Sequence, residues 1–294
     1  MGKALFEASE SARAVYAEAK QVLGWDVAAL CFEGPEAQLN QTEYTQPALL
    51  TASIAAWRAL GEPIGATGAV AGHSLGEYTA LVAAGSLSFS DAVRIVHLRG
   101  RYMQEAVPEG AGAMAALIGL NRQVVDELCR EISSDAALVA PANYNGPTQV
   151  VIAGHSAAVE KAMALALEKG AGRAIRLAVS VPSHCPLMRE AALRLSSVLD
   201  DIEGEDFKVP LVNNVRAEKV MHWKAAREGL VAQISAPLLW EETIQAMRGL
   251  GVDLFIEVGP GKVLAGLLKR IDRRATVMNV EDPAGLEAAQ TRLK

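Results

Sequence analysis

Gly72, Ser74 and Gly76 stand as G-x-S-x-G within AGHSLGEYTALVAAG (71–85). That spacing marks a nucleophile elbow, a sharp strand-to-helix turn that holds a serine hydroxyl out for attack. It also occurs in glycine-rich turns whose serine only caps a helix. Context favours the elbow: a small apolar run, 64–71, precedes Ser74 as a strand would, and an apolar helical stretch, 75–84, follows. In an elbow the Leu75 N–H lies at a helix N-terminus, where the dipole favours developing negative charge. Leu75 is therefore a candidate oxyanion donor. A second AGHS, at 153–156, lacks the closing glycine because Ala158 stands in its place, and Ser156 reads as a helix cap.

A serine nucleophile needs a base, and the chain has five histidines. His73 precedes Ser74 directly and projects from the other side of the turn. His97 shares a polar stripe with Arg94, Arg101, Gln104 and Glu105, and solvent is expected around it. His155 lies in the second AGHS, and His222 sits beside Trp223 in a polar stretch. His184 lies in SVPSHCPLM, between Pro182 and Pro186, in a stiffened loop at a domain junction. It reads equally as a catalytic base or as a structural histidine. Arg99 is a second anomaly. Val93, Val96, Gly100 and Met103 mark the buried face of their helix, and Arg99 is turned toward that face. A buried guanidinium needs an anion. Either an internal salt bridge or a substrate carboxylate gripped by both nitrogens would supply it.

These residues need elements to hold them. Helices are predicted over 2–23, 46–60, 75–84 and 90–106, with Pro47 suited to a first turn and Ser88 or Ser90 as a cap. The texture then changes. Strands over 113–120, 137–145, 148–154 and 173–181, with helices over 122–132 and 157–170, give the order βαββαβ of a ferredoxin-like unit. Helices follow over 186–199, 228–234, 240–250 and 262–270, with a strand over 253–259. The alternation predicts an α/β fold with a mainly parallel sheet, built from 1–110 and 182–294, and an inserted small subdomain over 111–181.

The 294 residues suffice for such a core, and a hydrophobic fraction of 51% with a net charge of −6 argues against nucleic-acid binding. Cys31, Cys129 and Cys185 are far apart and form no C-x-x-C pair, which argues against a disulfide framework or zinc site and fits a reducing compartment. The opening MGKALFEASESAR has no apolar signal core, Phe6 occupies the Ser/Thr position of a myristoylation motif, and no run has membrane-spanning length. A cytoplasmic monomer is expected.

The chain resembles the malonyl-CoA:acyl carrier protein transacylase family over nearly its whole length. TQPALLTAS (45–53), AGHSLGEYTALVAAG (71–85), LRGRYMQEAVPEGAGAMAA (98–116), NGPTQVVIAG (145–154), VPSHCPLM (181–188) and EVGPGKVLAGLLKR (257–270) carry the resemblance in order. It implies an α/β-hydrolase-like large subdomain with a ferredoxin-like small one. It implies Ser74 as nucleophile, His184 as base, Arg99 as partner of the malonyl carboxylate and Gln233 as an active-site glutamine. A main-chain carbonyl near that glutamine would orient the histidine, so a dyad replaces a triad. Ser183 matches a small residue that accompanies malonyl selectivity. The implied reaction is ping-pong transfer from malonyl-CoA to the phosphopantetheine thiol of acyl carrier protein, for fatty acid synthesis, without metal or redox cofactor. GPGK (259–262) is no phosphate loop, because Val263 stands where Ser or Thr is needed.

One departure is expected to matter. Members of that family begin with an apolar strand and a G-Q-G-S-Q loop that supplies a second oxyanion donor, and Met1-Gly2-Lys3 aligns just downstream of it. The expectation is a late start assignment or a truncated chain. Two rivals follow: a serine hydrolase or thioesterase, and a catalytically impaired remnant. The first usually has a late histidine, whereas here no histidine follows His222.

Overall fold

The computed structural model describes residues 1–134, 136–179 and 181–294. The helix predicted over 2–23 is two helices, α1 (Lys3–Ala8) and α2 (Glu10–Leu23). Ser9 between them is extended, and its hydroxyl accepts from Ala12 N as the cap of α2. Two short helices that the pattern did not predict come next, α3 (Val27–Glu33) and α4 (Glu36–Leu39). α5 (Thr42–Ala59) begins before the predicted start, so Pro47 lies inside it rather than in its first turn. A proline there leaves the carbonyl four residues back without its helical donor. That carbonyl, on Glu43, lies 3.2 Å from His97 Nδ1. His97 is therefore half-buried at a helix contact and not simply solvated as expected.

The strand predicted over 64–71 shrinks to a 3-10 turn, Ile64–Ala66, and one parallel bridge, Val70 with Leu211. The stretch is rich in glycine and alanine, which offer a strand little to pack. α6 (Gly76–Ala83) follows the elbow, and α7 (Phe89–Glu105) is capped by Ser88, which accepts from Asp91 N. Val93, Val96, Arg99, Gly100 and Met103 are all buried, as their spacing predicted. α5 and α7 cross so closely that a Cβ on Gly100 would lie 2.4 Å from the Thr42 carbonyl oxygen.

Next come β1 (Gly112–Ile118), α8 (Arg122–Ile132), β2 (Val139–Gly146), β3 (Gln149–His155), α9 (Ser156–Glu168) and β4 (Arg173–Arg176). The strands form one antiparallel sheet in the order β2-β3-β1-β4. Its core, including Leu117, Val125, Leu128, Ile152 and Val159, is separate from the main one. The strand predicted over 173–181 ends at Arg176, and Ser180 of that run lies outside the described residues. Ser156 opens α9 rather than capping it, and its hydroxyl donates to Gly110 O at 2.7 Å.

A 3-10 turn (Pro186–Met188) leads into α10 (Arg189–Asp200). β5 (Leu211–Val212) and β6 (Lys219–Val220) form a short antiparallel pair. α11 (Trp223–Ser235), α12 (Trp240–Gly249), β7 (Leu254–Val258), α13 (Val263–Ile271), β8 (Thr276–Val280) and α14 (Pro283–Leu293) complete the chain. The mainly parallel sheet expected for the large subdomain is corrected here. Among the described residues, parallel pairing is confined to β7 with β8 and to two isolated bridges, Val70–Leu211 and Asn143–Leu238. The main core instead joins α2, α5, α7, α10 and α11 through residues such as Val15, Ile54, Ile95, Leu195 and Leu230. Among the described residues no helix is long and apolar enough to cross a membrane.

Candidate active site

Ser74 adopts a left-handed backbone, φ 53°, which residues with a Cβ rarely accept. The surroundings hold it there. Gly76 N donates to His73 O at 2.9 Å and Glu77 N to Ser74 O at 3.1 Å, turning the chain into α6. Asn214 grips both sides of the turn: its Oδ1 accepts from Ser74 N and its Nδ2 donates to Gly72 O, each at 2.7 Å. A Cβ on Gly72 would sit 2.0 Å from the Gly76 carbonyl, so only glycine fits. Gly76, by contrast, faces open space.

The Ser74 hydroxyl oxygen lies 2.8 Å from His184 Nε2. His184 also has a left-handed backbone, φ 61°, and its N–H donates to Ile234 O. Its Nδ1 lies 2.5 Å from the Gln233 carbonyl oxygen. A carbonyl only accepts, so the ring proton sits on Nδ1 and Nε2 is free to accept from Ser74. Among the described residues no carboxylate bonds to this ring. Burial, and then the charge of Arg99, push the His184 imidazole down to about 3, against the pull of the Gln233 carbonyl. Ser183, beside it, is half-buried, and its N–H donates to Val181 O.

Arg99 is 2% exposed. Its Nη1 donates to Gln46 Oε1 at 2.6 Å, and its Nη2 to Gln233 Oε1 and to Ser74 Oγ, both at 3.0 Å. Its guanidinium carbon lies 5.7 Å from the centre of the Tyr78 ring. Among the described residues it forms no ion pair. A full positive charge is thus buried against neutral oxygens, the Ser74 hydroxyl among them. Gln233, fully buried on α11, touches His184 with its main chain and Arg99 with its side chain. The Leu75 N–H directly follows Ser74 and has no acceptor among the described residues.

Ser74, Leu75, His184, Arg99 and Gln233, from four separate segments, therefore converge. Sequence reasoning missed Gln46, Glu77 and Asn214, which hold them in place. No local signal marks them: Gln46, for one, stands between Thr45 and Pro47 after the polar start of α5. The other histidines pair elsewhere. His73 Nε2 lies 2.8 Å from Asn145 Oδ1 and its ring meets Trp240 edge-on. His155 Nδ1 accepts from Leu138 N, and exposed His222 faces Asp206. Lys262 of GPGK pairs with Glu281. An apolar cleft of about 790 Å³ opens behind the elbow, between 63–76 and β7, lined by Trp57, Val70, Leu75, Trp240 and Phe255. Ser74, His184, Arg99 and Gln233 do not line it.

A family described as the acyl transferase domain matches residues 1–289. The malonyl CoA-acyl carrier protein transacylase of Salmonella typhimurium is 49% identical over 277 residues, covering 94% of this chain and 89% of that protein. The malonyl CoA-acyl carrier protein transacylase of Coxiella burnetii superposes with a TM-score of 0.96 at 42% identity, covering 100% of this chain and 93% of the other. A malonyl-transacylase solved in complex with its type II PKS acyl-carrier protein superposes with a TM-score of 0.95 at 46% identity, covering 99% of this chain and 94% of the other.

Proposed function

The chain belongs to the acyl transferase domain family, and on that premise we propose that it moves malonyl groups from malonyl-CoA to the phosphopantetheine thiol of acyl carrier protein. Ser74 is the nucleophile, His184 its base, and Arg99 the partner of the malonyl carboxylate. The observation that carries this reading is the buried Arg99 guanidinium, 3.0 Å from the Ser74 oxygen and, among the described residues, without a carboxylate partner. An acyl group that brings its own carboxylate completes that pair, and one that lacks it leaves the charge unmatched.

In the first half-reaction His184 Nε2 takes the Ser74 proton as Oγ bonds to the thioester carbon. The Leu75 N–H, at the start of α6, faces the oxygen that becomes negative. Collapse breaks the C–S bond, and coenzyme A leaves with the proton from His184. In the second half the carrier thiol gives its proton to His184 and its sulfur attacks the serine ester. The C–O bond breaks, Ser74 regains the proton, and malonyl leaves as a new thioester. The imidazolium formed in each half keeps its hydrogen bond to the Gln233 carbonyl. A malonyl carboxylate on Arg99 also cancels the charge that holds His184 down, so the base strengthens when the right acyl group is bound. Exchange between two thioesters involves no oxidation or reduction, so the reaction calls on no redox cofactor.

We assign 1–110 and 182–294 to an α/β-hydrolase-like subdomain and 111–181 to a ferredoxin-like one. The βαββαβ order of the latter and its own core support the division. The three cysteines are free and buried, which supports a reducing compartment such as the cytoplasm. The product suits fatty acid synthesis. The test is intact-protein mass spectrometry. Malonyl-CoA is expected to leave a covalent malonyl group on the wild-type chain, chased off by holo-acyl carrier protein and absent from Ser74→Ala. An unlabelled wild-type chain would overturn the proposal.

A further inference from the structure

Glu77 lies three residues after Ser74, in the first turn of α6, and no part of it reaches solvent. The proposed transfer makes no use of it. Its Oε2 accepts from Gln233 Nε2 at 3.0 Å and from the Asn214 N–H at 3.1 Å. Those two residues hold the two halves of the site. Asn214 clasps the elbow through Ser74 N and Gly72 O. Gln233 carries Arg99 on its Oε1 and His184 on its main-chain oxygen. One carboxyl oxygen thus lies beneath both.

The two ends of a glutamine amide have nearly the same shape, so packing alone leaves its facing open. Turned over, Gln233 would set its NH2 against the guanidinium, donor to donor, and its oxygen against Glu77. The observed facing needs an acceptor opposite Nε2, and Glu77 Oε2 is that acceptor. We infer that Glu77 is a positioning residue: it fixes the facing of the Gln233 amide, and so places the Arg99 guanidinium to receive an acyl group bearing a carboxylate. This rests on the role of Arg99 proposed above. Burial pushes the Glu77 carboxyl up to about 8, so at neutral pH it is mainly the uncharged acid, whose carbonyl oxygen still accepts both bonds. Glutamine supplies the same oxygen at the same reach. Methionine fills similar space with only a weakly accepting sulfur in place of the oxygen.

The experiment measures kcat/KM for malonyl-CoA and acetyl-CoA with holo-acyl carrier protein, on variants whose folding is checked by circular dichroism. Glu77→Met is expected to lower the malonyl-to-acetyl ratio about tenfold, the scale of one lost hydrogen bond to a buried group, while Glu77→Gln stays within about threefold of wild type. In a Gln233→Met background, Glu77→Met is expected to change the ratio no further. Glu77→Asp keeps the acid but falls a methylene short, and a similar loss is expected. It serves if the methionine variant does not fold. A folded Glu77→Met or Glu77→Asp with the wild-type ratio overturns the inference. So does a Glu77→Gln ratio as low as that of Glu77→Met, or an additive loss in the Gln233→Met background. Arg99→Ala separates the two claims. An unchanged ratio there sinks the clamp itself; a lost ratio there, with none lost in Glu77→Met, sinks only the role of Glu77.

Discussion

In the proposed transfer Arg99 acts on the base as well as on the acyl group. After burial itself, its charge is the largest influence holding His184 down at about 3. Arg99→Met removes that charge, so the His184 pKa must rise toward the ordinary histidine value. A protonated imidazole cannot accept the serine proton, so a higher pKa moves the acid limb of Ser74 reactivity to higher pH. The check is the rate at which an uncharged sulfonyl fluoride modifies Ser74. Wild type is expected to stay reactive down to about pH 5, while Arg99→Met loses reactivity at a higher pH. Coincident profiles would remove Arg99 from the control of the base. The same variant is expected to lose roughly 2–5 kcal/mol of malonyl preference, the scale for breaking a buried charge pair. Arg99 was legible in the sequence because a charge on an apolar stripe demands a partner. Gln46, Glu77 and Asn214 were not, because a neutral or neutralisable polar group on a buried face has many possible partners. Here those partners lie as far off as the 156 positions from Glu77 to Gln233.

The crossing of α5 and α7 sets where that arginine sits, because Gln46 is on one helix and Arg99 on the other. A Cβ at position 100 would meet the Thr42 oxygen at 2.4 Å and Glu43 Cα at 2.8 Å. Both are backbone atoms, so the helices themselves must separate. Gly100→Ala is expected to cost roughly 1–3 kcal/mol of stability in urea unfolding, the range for overpacked cores, and to weaken malonyl preference with it. Gly266→Ala, on α13 with open space at the Cβ, is the control expected to change neither. A Gly100→Ala protein as stable and selective as wild type would mean that the crossing has slack. At this scale the sequence was legible wherever one element carried its own signal. α8 runs over the predicted 122–132 because its apolar stripe is sharp and Asn121 caps it. It was illegible where pairing partners are distant and strands are a residue or two long. Val70 bridges Leu211, and β5 and β6 have two residues each. No local pattern announces such strands, and the small apolar run 64–71 reads as a longer one.

Across the whole molecule, buried titrating groups near the site pull stability in opposite senses. His184 falls from 6.5 to about 3 on folding, so between those values the native state binds fewer protons than the unfolded chain, and stability rises with pH through that window. Glu77 rises from 4.5 to about 8, so its contribution is complete below 4.5 and is lost as pH climbs to 8. The two slopes oppose each other from 4.5 to 6.5, and of the pair only that of Glu77 persists from 6.5 to 8. Buried thiols extend the decline, since Cys31 and Cys185 are pushed from 9 up to about 11 and Cys129 to about 12. Each disfavours the charged form that the unfolded chain takes up freely above 9. The melting temperature is therefore expected to be highest at mildly acidic pH, to drop between 6.5 and 8, and to drop again above 9. Glu77→Gln carries no titrating group at that position, so it should flatten the first drop and leave the second. An equal decline between pH 6.5 and 8 in both proteins would show that the alkaline sensitivity of this fold arises elsewhere than beneath its elbow.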